Sequence, residues 1–437
     1  PMSTLNWPFS QDAALNIVKA EGAHLFTATG QAVLDAAGGA VVANVGHGRQ
    51  RVVEALAKAT AETTYVVPPW ITPGRQAMVE ALERDWLPEG ISRMHITSGG
   101  SEAVESAVKL VFMHHAAQGD LGRRKILSRD ISYHGATFTT TAISGHWARR
   151  QGLEQALERH PKAPTAHPLR CPLGAHHPQA GDHYVEAMAE VIEREGPESI
   201  AALIVEPITG ASGGAIVPPE DYWPKVRDLC DEHGILLVFD EVMTGFGRTG
   251  LPFGHQHWPV TPDLLVGGKG MAGGYAPLGG VFTTEAIGAS IDAAGYSLMF
   301  HTFGAHPGAC AAAAEVLAIM VEEDLVKRAR QLGERLATRL QEAFSNHPHV
   351  AESRGRGLLQ GIEIVADRST LAPFPKADQI AARVVKAALD RGVFFYAGGT
   401  GEFRDVILLG PPFIVTESDI DTMAAVLREA VDEVAGC

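Results

Sequence analysis

Residues 264–280 read LLVGGKGMAGGYAPLGG, with one charge, Lys269, among seven glycines. The run opens as an apolar strand and closes as a tight loop, surroundings in which a solvated ammonium has no polar company. Such a lysine either closes a salt bridge or is used chemically. Two other short apolar runs end in the same manner: AALIV (201–205) is followed by Glu206, and ILLVF (235–239) by Asp240. In an open parallel sheet, ligands bind outside the carboxyl ends of the strands. Three ionisable residues at three strand ends therefore outline a site.

Further apolar runs at RMHITSG (93–99) and RKILSRD (124–130) alternate with longer amphipathic stretches. Continuous apolar runs between helical patterns indicate strands covered on both faces by crossover helices. The expected fold is α/β, with a large domain over 60–310 built on a mostly parallel sheet. A smaller α+β domain is expected over 311–437, with the N-terminal segment 1–59 packing against it. In that smaller part the pattern predicts a helix over 309–346, then the glycine-rich stretch RGRGLLQGIEIV (354–365), a helix over 376–391, and a closing strand and helix over 406–434. Ser418 and the acidic residues beside it are the candidate cap of the last helix.

The composition, 46% hydrophobic and 20% charged over 437 residues, is that of a globular protein. A net charge of −15, with no basic run, argues against a nucleic-acid partner. Cys171, Cys230, Cys310 and Cys437 show no paired spacing, which fits a reducing cytoplasm. The longest apolar run, ACAAAAEVLAIMV (309–321), is interrupted by Glu315 and too short to span a bilayer. PMSTLNWPFSQDAAL (1–15) lacks a basic start before an apolar stretch, so no export or membrane signal is expected. The segment RCPLGAHHPQAGDH (170–183) gathers Cys171, His176, His177 and His183, but its spacing does not fit a zinc motif, and no metal is expected.

A lysine in a dry, glycine-lined pocket can lose its proton and become a nucleophile, and Schiff-base chemistry is the use made of that state. In SGGSEAVESAVKL (98–110), apolar residues follow a helical period from Ala103 and Val104 onward. Glycine and serine at a strand-to-helix turn present free N–H groups and a hydroxyl to an anion, assisted by the helix dipole. A phosphorylated aldehyde that condenses with lysine and takes a carboxylate at its ring nitrogen is pyridoxal phosphate (PLP). Asp240 suits that nitrogen, and Tyr133 in SYHG (132–135) is a candidate aromatic face.

The combination of SGGSEAVESAVK, SYHG, VEPITGASGGAIVPPEDYWPKVRDLCDEHGILLVFDEVMTGFGRTG and GGKGMAGGYAPLGGV closely resembles the class III (omega) aminotransferases of PLP fold type I. The resemblance runs from Trp7-Pro8-Phe9 to GPPFIVTESDID (410–421), and the lysine follows the aspartate of DEVMTGFGRTG by 29 residues. It implies that Lys269 binds the cofactor aldehyde covalently and then carries the substrate proton. It also implies Asp240 at the pyridine nitrogen, Val242 and Tyr133 on the two ring faces, Gly100 and Ser101 at the phosphate, and Glu206 among the cofactor contacts. Thr302, in MFHTFGAHPGAC (299–310), matches the position that reaches the neighbouring subunit's phosphate, which implies a homodimer with shared active sites.

Departures from the pattern bear on substrate. Family members acting on ornithine or 4-aminobutyrate carry a glutamate where EPITGASGG has Ala211, and an arginine where ILLGPP has Leu408. Lacking both, the chain looks closer to the amine or omega-amino-acid:pyruvate group, whose pattern places Trp70 of VVPPW in the substrate pocket. That group holds the keto acid's carboxylate with a mobile arginine upstream of the last strand, and Arg404 in GEFRDVILLGPP stands in the corresponding loop. The expected activity is a ping-pong transfer of an amino group from an amine or omega-amino acid to a keto acid such as pyruvate. A dialkylglycine-type decarboxylase or an amino-acid racemase on the same scaffold is the alternative.

Overall fold

A computed structural model describes residues 15–297 and 299–436; the Trp7-Pro8-Phe9 segment and Cys437 lie outside the described residues. The described residues begin with three strands, β1 (Ile17–Glu21), β2 (His24–Thr27) and β3 (Ala32–Asp35). Seven more build the main sheet: β4 (Ile91–Thr97), β5 (Lys125–Arg129), β6 (Lys162–Ala163), β7 (Ile200–Val205), β8 (Leu236–Asp240), β9 (Leu264–Gly267) and β10 (Gly279–Thr284). Their spatial order is β4-β10-β9-β8-β7-β5-β6. From β9 to β6 every pairing is parallel, and β10 runs antiparallel to both of its neighbours. All six residues of β7 are buried, as an unbroken apolar run between two helical layers requires. The helix Gly100–Ala117 covers one face with Ala103, Val104, Ala107, Val108 and Val111, the residues whose spacing announced it.

The C-terminal part contributes β11 (Val350–Arg356), β12 (Leu359–Ile364), β13 (Val393–Phe394), β14 (Tyr396–Gly398) and β15 (Val406–Leu409). Four of these form an antiparallel sheet in the order β11-β12-β15-β14. The fifth, β13, pairs in parallel with β3, so the N-terminal strands share a sheet with residues 393–394. No helix among the described residues is long and apolar enough to cross a membrane.

Three elements differ from the expectations. The single helix expected over 309–346 is two, Pro307–Glu322 and Leu325–Phe344, broken at Asp324, whose φ of +52° leaves the right-handed helical region. The helix expected from 376 begins at Ile380, after a short turn and a residue, Gln379, at φ +47°. β10 lies inside a stretch whose glycines read as loop; Gly279 and Gly280 pair with Thr97 and Ile96, and a Cβ on Gly279 would fall 2.7 Å from the Gly99 backbone. Close strand approach, not a turn, explains that glycine.

The last helix, Glu417–Ala435, is capped by Thr416, two residues before the expected Ser418. Thr416 Oγ1 accepts the Asp419 N–H at 3.1 Å, and Asp419 Oδ2 accepts the Thr416 N–H at 2.8 Å, a reciprocal box. In urea unfolding, Thr416→Ala is expected to lower stability by about 1 kcal/mol, and Ser418→Ala by less than half of that.

Candidate active site

The carboxyl ends of the main strands bring seven of the predicted residues to one cavity of about 230 Å³. Gly100 and Ser101 arrive from the turn after β4, Tyr133 from the segment after β5, and Glu206 from the residue after β7. Asp240 ends β8, and Lys269 follows β9 by two residues. Val242 and Met243 line the same space, with His134, Gly135 and Ala211.

Lys269 sits at φ +40°, a left-handed conformation that costs a residue with a Cβ about 1–2 kcal/mol. The sharp exit from β9 thus turns this side chain into the cavity at an energetic cost. Among the described residues its ammonium takes neither a hydrogen bond nor an ion pair. Burial pushes it down to about 8, against the pull of the Asp240 and Glu206 carboxylates. The salt-bridge reading of the lone lysine is therefore not the one the fold adopts.

The two carboxylates are held differently. Asp240 is buried; its Oδ2 lies 2.8 Å from His134 Nδ1, and its Oδ1 accepts the Val242 N–H at 3.1 Å. Glu206 accepts the N–H of Tyr133 at 3.1 Å and of Gly210 at 2.7 Å. Burial nevertheless raises the Glu206 carboxyl, with His134 pulling it down and Asp240 pushing it further up. Behind it, the fully buried Arg129 donates to the Glu206 carbonyl at 2.5 Å and lies over the Trp223 ring.

Two glycines set the height of one wall. A Cβ on Gly100 would sit 2.9 Å from Val242 Cγ1, and one on Gly268 would sit 3.3 Å from the same atom. Val242 occupies its place only because both are glycine. Ser101 Oγ accepts the Ala136 N–H at 3.1 Å, tying the start of the helix Gly100–Ala117 to the loop that carries Tyr133.

Three predicted residues lie outside the lining of this cavity. Trp70 and Thr302 are exposed. Arg404 is turned onto main-chain carbonyls, donating to Phe374 O from Nη2 and to Gly401 O at 3.2 Å from Nη1. Conversely, sequence reasoning passed over His134. Its only local signal was adjacency to Tyr133, and its partner Asp240 is 106 positions away. In the histidine-rich segment, Cys171 is buried, His176 pairs with Glu352 at 3.1 Å and Arg170 holds Glu363. Among the described residues no group of three or more His, Cys, Asp or Glu side chains is placed to hold a metal.

Comparison with known proteins agrees with this arrangement. The class-III aminotransferase family model matches residues 8–431. The taurine–pyruvate aminotransferase of Rhodobacter capsulatus is 36% identical over 98% of this chain and 94% of its own. The omega-aminotransferase of Caulobacter vibrioides is 33% identical over 95% of this chain and 93% of its own. Among solved structures, an amine transaminase from an uncultivated Pseudomonas species, in its PLP-bound form, superposes with a TM-score of 0.91 at 34% identity, covering 99% of this chain and 98% of that one. A lysine, two buried carboxylates and a glycine turn at the ends of a mainly parallel sheet, matched along almost the whole length, place this chain in the class III aminotransferases, PLP-dependent enzymes of fold type I.

Proposed function

We propose that the chain moves an amino group from an amine or omega-amino acid to a keto acid such as pyruvate, in two half-reactions that share one cavity. The carrying observation is the cavity itself. Its lining holds a lysine whose amine is easily made neutral, and beside it the apolar side chains of Ala211, Val242 and Met243, with no arginine. A carbon bearing no carboxylate fits such walls. The names of the relatives, one acting with taurine and pyruvate and one an omega-aminotransferase, support the same substrate class. The decarboxylase alternative gains nothing here. At the place where an arginine would hold a carboxylate, Leu408 is fully buried, paired with Gly361 and Tyr396 inside the sheet.

The residues present fit PLP. Asp240, braced by His134 and the Val242 N–H, is a carboxylate able to hold a proton on the ring nitrogen. Gly100 and Ser101, at the start of an 18-residue helix, offer N–H groups and a hydroxyl to the phosphate. Val242 and Tyr133 serve the ring faces, and Glu206 joins these contacts. When bound, PLP supplies an aldehyde that takes the amine nitrogen and a ring that accepts electrons. Lys269 Nζ takes the proton from the substrate carbon and returns it, a role that its lowered affinity for protons suits.

In this reading residues 60–310 hold the cofactor, and 311–437 together with 1–59 form the smaller domain. The exposed Trp70, Ile71, Phe300 and Phe303, between 60% and 74% accessible, are faces that a second copy covers in a homodimer, with Thr302 reaching the partner's phosphate. Trp70 then lines the substrate pocket. Arg404 takes the keto acid's carboxylate only after leaving the carbonyls of Phe374 and Gly401. The three buried thiols Cys171, Cys230 and Cys310 suit a reducing cytoplasm.

Lys269→Ala is expected to lower turnover by about three orders of magnitude or more while leaving the circular dichroism unchanged; near-normal rates would refute the assignment. Because only the neutral amine attacks an aldehyde, PLP capture by the cofactor-free protein should speed up as pH rises through about 8, the value of Lys269, instead of near the ordinary lysine value of 10.5. A stopped-flow pH series checks this. Gly100→Ala should weaken PLP binding about tenfold by pressing a methyl on Val242, measured by equilibrium dialysis.

A further inference from the structure

Of the two carboxyl groups in the cavity, Asp240 has an ionisable partner and Glu206 does not. Asp240 Oδ2 faces His134 Nδ1 at 2.8 Å, and its Oδ1 accepts the Val242 N–H. Glu206 accepts two main-chain N–H groups, Tyr133 at Oε1 and Gly210 at Oε2, and among the described residues its carboxyl meets no cationic side chain. Arg129 stands behind it but gives its N–H to the Glu206 main-chain carbonyl. Lys269 lines the same cavity and is drawn more strongly by Asp240 than by Glu206. Two carboxyl groups that share a site out of water do not both ionise easily, and the one with less support takes the proton. Glu206 is that one: burial and the Asp240 charge push its carboxyl up, against the pull of His134 and Arg129.

The Glu206 carboxyl also belongs to the wall given above to the substrate. A Cβ on Gly210 would fall 2.7 Å from Glu206 Oε2 and 2.8 Å from Met243 Sδ, so the acid oxygen and the thioether approach one another across a glycine. Ala211, the next residue, lines the cavity beside them. A neutral Glu206 has a second effect. One of the two negative charges that hold the Lys269 ammonium is then removed, and the free amine is favoured further.

Amino transfer moves two kinds of proton. One leaves and returns at the substrate carbon, the work of Lys269 Nζ. The others pass between nitrogen and oxygen whenever an amine replaces a carbonyl oxygen or water replaces an amine. Within the lining, His134 and Asp240 engage each other, which leaves Glu206 free to give and take a proton. We propose that Glu206 is a neutral acid in the resting enzyme and the second catalytic residue of the cavity, passing a proton between the nitrogen and the oxygen that exchange at the reacting carbon. As the C–O bond breaks, the oxygen leaves as water with the proton of Glu206. The carboxylate takes back the proton that nitrogen gives up as the C=N bond forms, so Glu206 ends as it began. This rests on the aminotransferase reading given above and deepens the role of a residue placed there among the cofactor contacts.

The test uses the PLP-loaded full chain and the variants Glu206→Gln and Glu206→Asp. An infrared difference spectrum at neutral pH, natural enzyme minus Glu206→Gln, should contain the carbonyl stretch of a protonated carboxyl. A difference spectrum without that band overturns the proposal. In deuterium oxide with an amine donor and pyruvate, NMR follows both deuterium entry at the amine's reacting carbon, which reports Lys269, and release of the carbonyl product. Glu206→Gln should raise the ratio of deuterium entry to product by about a hundredfold, and Glu206→Asp, an acid on a shorter arm, by less. A ratio that stays the same while both rates fall makes Glu206 a brace for the Tyr133 loop and also overturns the proposal. If Glu206→Gln does not fold, Glu206→Asp carries both comparisons, with a shifted carbonyl band in place of a lost one. If the natural enzyme releases no carbonyl product from any amine, the aminotransferase reading fails and the catalytic step with it, while the infrared comparison still decides whether Glu206 holds the proton.

Discussion

The structure is organised around one electrostatic constraint: an amine taken out of water at the end of a parallel strand, facing two carboxylates that are also out of water. Desolvation favours the neutral amine, and the nearby negative charges favour the ammonium. The balance leaves Lys269 at about 8, where both forms are accessible. The carboxylates stay in place because each accepts main-chain N–H groups, and Asp240 in addition faces a buried histidine. Those donors belong to turns that follow strand ends, so sheet geometry is what keeps the charges together.

A second buried network joins the cavity wall to the C-terminal sheet. Glu363 on β12 receives Arg354 at 2.7 Å and Arg170 at 2.5 Å, with His167 at 3.3 Å. Burial works to raise this carboxyl, but Arg354 and its other partners hold it well below the usual range. Arg354 also grips the carbonyls of Gly213 and Gly214, and the Gly399 N–H donates to Ala211 O at 2.7 Å. Phe403 lies against His167 and under Arg170, whose guanidinium is 4.7 Å from its ring. The loop that presents Ala211 to the cavity and the loop that carries Arg404 are therefore fastened to each other. Removing one partner from so buried a network strands a charge, which typically costs about 3–5 kcal/mol. The histidine-rich segment 170–183 gains a reason in this way: Arg170 serves the network, and His176 pairs with Glu352 on the neighbouring strand.

Much of the site was legible because its chemistry sits at positions of strong local pattern. Glu206, Asp240 and Lys269 each interrupt an apolar run at its carboxyl end, and the helix after Ser98 announces itself by period. Elements that failed to show were those in which a long-range contact overrides the local pattern. β10 starts with Gly279, which is small for the sake of the Gly99 backbone, and the break at Asp324 lies within a continuous helical stretch. His134 carries no pattern of its own, because its role is defined by a carboxylate on another strand.

By itself the sequence determined the fold class and the family and singled out Lys269 as the candidate reacting amine, since strand periodicity, glycine turns and the spacing from Asp240 to Lys269 are local or fixed along the chain. Only the tertiary structure decided what each charge faces. Arg404 turns onto two carbonyls, Arg150 onto two more, and Arg149 onto an aromatic ring. A side chain's partners come from segments far apart in the chain, and the energy of a charge is set by those partners and by the water they exclude.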